Sequence, residues 1–146
     1  MWMEPSKETF RIGSRGQSLV EFGLALPLLM LLFLGLIDGA RAYYYAGSVA
    51  NAAHEAASFA ARNASATRAQ VTQRACDATG FATFGTPCTG LSVTCTLASG
   101  DVSVEVTYNF TLISGLLTDG AFHVNPLPIR GQGRYPLTTI GSPCAT

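Results

Sequence analysis

A glycine, a glutamine and, four residues further on, a carboxylate stand where the chain turns apolar. Arg15-Gly16-Gln17-Ser18-Leu19-Val20-Glu21-Phe22 leads into a run with no charged residue from Phe22 to Ile37. If the bond after Gly16 is hydrolysed, the amine of Gln17 becomes a new cation and Glu21 becomes the fifth residue, one helical turn away. Ionisable groups inside membranes are costly and are usually paired. Amine and carboxylate could therefore each meet its opposite on a neighbouring copy. The plainer reading of Glu21 is a carboxylate close enough to the interface to reach water.

Two further groups carry chemistry. Asp38 and Arg41 are the first charges after Glu21 and share a helix face. Most simply they form a surface pair worth about a few tenths of a kcal/mol; the alternative is a registry pair between packed helices. Four cysteines, Cys76, Cys88, Cys95 and Cys144, all follow the apolar run. An even count on one side fits disulfides formed in an oxidising compartment. The register modestly favours Cys76 with Cys95 and Cys88 with Cys144. Neither CxxC spacing nor grouping with His54 or His123 occurs, so no metal site and no cofactor are expected. No nucleophile motif or acid pair is visible either, and the sequence reads as non-enzymatic. Arg130-Gly131-Gln132-Gly133-Arg134 lacks the strand-to-helix context of a phosphate loop.

The elements that must position these residues follow from periodicity. Charged residues are 12% of the 146 and cancel to zero, which points away from a nucleic-acid partner. Residues 1–16 read as a cytoplasmic leader: Lys7, Arg11 and Arg15 precede the span, and only Arg41 follows soon after it. That asymmetry keeps the N-terminus cytoplasmic. A helix is expected from about Ser18 to Arg62, with a membrane span near 19–37, an extracytoplasmic half at 38–62 and a bend near Gly23 imposed by Pro27. Tyr43, Tyr44 and Tyr45 fall where an aromatic belt would sit, and only secondarily suit a protein contact. Residues 63–146 form a small α+β domain with a short helix over Arg68–Ala78. Alternating Leu91–Leu97 and Val102–Leu112 make an antiparallel hairpin about Ser99-Gly100. One more strand is expected near Pro128–Tyr135, giving a sheet of about three or four strands. His54 and Glu55 read as solvated helix residues.

Gly16-Gln17-Ser18-Leu19-Val20-Glu21-Phe22 resembles the processing site of type IV pilins. Together with Leu26-Pro27-Leu28-Leu29, Asp38-Gly39-Ala40-Arg41-Ala42-Tyr43 and Ala52-Ala53-His54-Glu55-Ala56-Ala57, it is similar to the TadE-like family of the tight-adherence pilus system. The resemblance implies a precursor in the bacterial inner membrane, with its C-terminal domain outside and cleavage by a prepilin peptidase between Gly16 and Gln17. It gives Glu21 a part in docking or processing. The implied partners are the peptidase, other pilins, the assembly platform and the lipid bilayer. A domain of some 80 residues departs from the short major pilins of that system, favouring a minor pilin or pseudopilin. Two other readings stand beside it: a secreted domain behind a conventional signal peptide ending at Ala40-Arg41-Ala42, and a single-pass binding domain that keeps residues 1–16.

Overall fold

The computed structural model describes residues 16–80, 90–115, 125–138 and 141–144. Of the expected leader only Gly16 lies among them, and Cys88 and His123 do not. Helix α1 spans Gln17–Arg62, 46 residues running through Pro27, which at 1.5 Å per residue is about 70 Å. Its two halves differ in what covers them. Leu19, Phe22, Leu24 and Leu28 are 65–75% exposed, and this half is apolar and long enough to cross a membrane with none of its apolar window buried.

The second half of α1 is the spine of the domain. Val49, Ala52, Ala53, Ala56, Ala57 and Ala60 are fully buried, recurring at three- and four-residue steps along one face. Alanine makes that face nearly flat, so neighbouring backbone can approach closely. Helix α2, Arg68–Thr79, begins with a capping box: the Gln70 amide donates to Thr67 Oγ1 at 3.3 Å, and the Thr67 amide donates to Gln70 Oε1 at 3.0 Å. These satisfy two donors that the helix start would otherwise leave unpaired. The helix stops at Gly80, whose φ of +65° lies in the left-handed region that favours glycine. Val71 and Ala75 of α2 join the core with the α1 alanines. At the rim, Asn51 donates to the Ala78 carbonyl, and Arg74 pairs with Glu55 at 3.6 Å.

Strands β1 (Leu91–Ala98), β2 (Asp101–Phe110) and β3 (Leu127–Pro136) form an antiparallel sheet in the order β1-β2-β3. Ser99 and Gly100 turn the hairpin with φ of +54° and +85°, the pair of positive values that matches the strand twist. Val102, Val104, Val106 and Phe110 of β2 are fully buried, while the alternate residues carry the polar face. On that face Arg134 pairs with Asp101 at 2.8 Å and Arg130 with Glu105 at 3.6 Å. The third strand expected near Pro128–Tyr135 is thus present as β3, an edge strand, where prolines are tolerated.

The glycines of β3 have a packing role that spacing alone did not reveal. A Cβ at Gly131 would lie 2.6 Å from the Val49 carbonyl oxygen, and one at Gly133 would come closer still to the carbonyl of Ala53. The helix therefore lies directly on the strand backbone, beside the valines of β2 that face the same core. Gly133→Ala is expected to cost about 1–3 kcal/mol, because neither backbone can yield without moving its whole element. Thermal unfolding of the variant should show the loss. Gly47→Ala, where a Cβ meets nothing within 4 Å, should leave the midpoint unchanged or raise it.

The cysteine pairing expected from register is corrected. Cys95 does face the core, 5% exposed, but its partner is Cys144, with Cα atoms 5.8 Å apart. That bridge rules out both Cys76–Cys95 and Cys88–Cys144. Cys76 follows Ala75, a core residue, and so is turned about 100° from the buried stripe of α2; it is also disulfide-bonded. Cys144 is delivered by the C-terminal segment, whose Cys144 amide donates to the Ala66 carbonyl at 2.8 Å.

Candidate functional site at the helix–sheet junction

At the start of α1 the geometry is open. Gly16 has an ordinary right-handed backbone, φ −91° and ψ −22°, and provides no side-chain cap. A Cβ there would meet nothing within 4 Å. Neither conformation nor packing within the described residues requires glycine at this position. Gln17 donates from its side chain to Glu21 Oε1 at 3.3 Å, one turn along an exposed helix surface. Glu21 lies 17 residues before Asp38, about 26 Å along the axis.

Asp38 ends the apolar half and is 2% exposed. The Ile113 amide donates to its Oδ1 at 3.0 Å; the Ser114 amide and hydroxyl each donate to Oδ2 at 2.7 Å. Arg41 adds a 3.2 Å ion pair to Oδ1, and its guanidinium stacks 5.0 Å from the centre of the Phe110 ring. The pair expected on a helix surface thus has its carboxylate buried, and within the chain its contacts run to the segment just after β2. Burial by itself would raise the Asp38 pKa. The Ser114 amide and hydroxyl, the Ile113 amide and Arg41 outweigh that and hold the carboxyl below its ordinary value of 3.8.

Charge-assisted bonds of this kind are short and strong. Both oxygens are occupied by protein donors, so the carboxylate stays ionised and serves as a fastener, with no proton to exchange near neutrality. Tyr45 extends the junction upward, its ring 5.1 Å from that of Tyr108 and 5.4 Å from that of Phe110. The three tyrosines therefore divide: Tyr45 packs on the sheet, whereas Tyr43 and Tyr44 remain 84% and 61% exposed. His54 is exposed, as expected, with its ring edge-on to Tyr135 at 6.2 Å. Ile113 and Ser114 were not singled out from sequence. A Ser-Gly pair after a strand announces a turn, but nothing local announces a partner 75 residues away.

An exposed apolar helix thus continues without a break as the spine of a small α+β domain. Residues 16–58 match the family of TadE-like proteins, a stretch that starts at Gly16 and takes in Glu21, Asp38 and Arg41. The sheet and α2 lie beyond the match. No curated protein and no solved structure matches the chain.

Proposed function

We propose that this chain is a minor pilin or pseudopilin of a tight-adherence (Flp type IVb) pilus. It is anchored in the bacterial cytoplasmic membrane by the first half of α1, with its N-terminus cytoplasmic and its α+β domain outside. Its role is structural, in pilus assembly with other pilins and the assembly platform. The observation that carries this reading is a family match beginning at Gly16, on a helix whose apolar half is exposed. A prepilin peptidase cleaves between Gly16 and Gln17. In support, Gly16 is a glycine the described fold does not need, as expected if the peptidase selects it.

Mapping the N-terminal peptide of the membrane-fraction protein by mass spectrometry tests the processing. Gln17 as first residue is expected. Met1 would mean an unprocessed anchor, and Tyr43 a conventional signal peptide. The junction argues against the last, because cutting before Tyr43 discards Asp38 and Arg41 and leaves the Ile113 and Ser114 amides without their acceptor. Glu21→Ala should insert and be processed yet fail to enter the pilus machinery, since its carboxylate lies on an exposed helix surface with only the Gln17 side chain on it among the described residues, within reach of a neighbouring subunit. Normal piliation by that variant would reduce Glu21 to an interfacial residue.

A further inference from the structure

We propose that the end of the sheet where β2 leaves and β3 enters is a second lipid contact, in which Ile113 and Leu127 rest in the bilayer interface beside the anchor. This rests on the anchor reading and concerns what the domain does with the membrane surface. Direction is the first observation. Strand β3 runs the same way as α1: Gly131 lies at Val49, Gly133 at Ala53, and the Thr138 amide donates to the Ala61 carbonyl. The sheet thus follows the helix axis, with the Ser99-Gly100 turn at the far end and Phe110, Ile113 and Leu127 at the end nearest the apolar half.

Level is the second. The Ile113 amide is bonded to Asp38, the residue directly after Ile37. Leu34, one turn further toward the N-terminus, is already half-buried, whereas Leu32, Phe33 and Leu36 are exposed. Leu19 to Ile37 rises only about 28 Å, against a hydrocarbon core about 30 Å thick. The helix has no length to spare. Every residue of that run is needed inside, so the domain cannot stand away from the surface.

Surface chemistry is the third. Ile113 is 42% exposed and Leu127 39%, beside Ile37 at 49%, so apolar surface continues from the anchor onto the domain. The charges of α1 at that level, Asp38 and Arg41, are bonded to each other. A domain footed at two points resists tilting about the helix, and would present its polar face and the Ser99-Gly100 end in a fixed orientation to incoming subunits.

The test uses the full chain in vesicles whose lipid acyl chains carry bromine, which quenches tryptophan at the interface and deeper. Trp2 is replaced by Phe, and single tryptophans are introduced at Phe33, Ile113, Leu127 or Leu97. Leu97, near the hairpin turn, is 42% exposed and serves as the distal control. Phe33→Trp, Ile113→Trp and Leu127→Trp are expected to lose most of their emission and to shift blue, with Leu97→Trp unaffected. Quenching at Phe33→Trp alone would overturn the lipid contact while leaving the anchor intact. Should Ile113→Trp be shielded from an aqueous quencher yet insensitive to bromine, a protein neighbour covers it and the proposal fails. No quenching at Phe33→Trp would overturn the anchor reading itself.

Discussion

Replacing Asp38 by alanine is expected to lower the unfolding free energy by about 3–5 kcal/mol, the range for removing one partner of a buried charged network. The loss is large because three donors lose this acceptor together. The Ile113 amide, the Ser114 amide and the Ser114 hydroxyl all point at this buried carboxylate from a part-buried segment, and losing a buried acceptor or donor of this kind costs about 1–3 kcal/mol. Arg41 loses its pair as well, though at 35% exposure it can turn to water. Thermal or denaturant unfolding in detergent, followed by far-ultraviolet circular dichroism, measures the change. Asp38→Asn should recover only part of it, because one oxygen remains while the new amide group faces donors. An unchanged midpoint for Asp38→Ala would show that the junction is dispensable.

The same group sets a pH dependence whose sign follows from its lowered pKa. With the folded value below the unfolded one, near 3.8, Asp38 contributes stability that is fully present above the unfolded value. It is lost as pH falls through the folded value. The chain should therefore weaken on the acid side in that window. In Asp38→Asn this contribution to the acid-side loss should disappear, which separates Asp38 from the other carboxylates.

Opening the Cys95–Cys144 bridge is the second large effect. The bridge joins residues separated by 49 in sequence, and the chain-entropy account gives about 4 kcal/mol for a loop of that length. Cys144→Ala is the cleaner probe, since Cys95 is buried in the core and its truncation would add a packing loss. The unfolding midpoint of Cys144→Ala should fall to that of the wild-type chain with this bridge reduced. Peptide mapping without reduction should recover the Cys95 peptide joined to that of Cys144; recovery joined to Cys76 would restore the pairing expected from sequence and overturn this one. A bridge of this kind persists only in an oxidising compartment. Its presence in protein from cells would independently support a domain outside the cytoplasm.

How much was legible depended on the range over which each feature acts. The hairpin was readable to within one or two residues at its ends: β2 stops at Phe110, short of the expected Leu112. Period-two alternation from Leu91 to Leu97 and from Val102 onward forces one register, since a slip of one residue would turn the whole apolar set to water. Helix α2, expected over Arg68–Ala78, runs over Arg68–Thr79, because the signals at its ends are local: a polar break ending in Thr67, and Gly80. Gly131 and Gly133 were passed over as a failed phosphate loop because their reason is a helix about 80 residues earlier, not anything in the strand. Cys144 escaped because its position is set by a backbone bond to Ala66, which no pattern in the tail encodes.

The sequence by itself determined the rod and its punctuation: an uncharged run from Phe22 to Ile37, the alanine stripe beyond it, and Gly16, Gln17 and Glu21 at its start. Those are properties of neighbours three and four residues apart, and helical geometry alone brings such neighbours onto one face. Only the tertiary structure decided what Asp38 is for. Alone on a helix it is a surface carboxylate beside an arginine. With the end of β2 folded against it, it becomes the acceptor for three donors more than 70 residues away. A partner that distant is chosen by the packing of the whole domain, where burial removes competing water and makes the unpaired alternative costly.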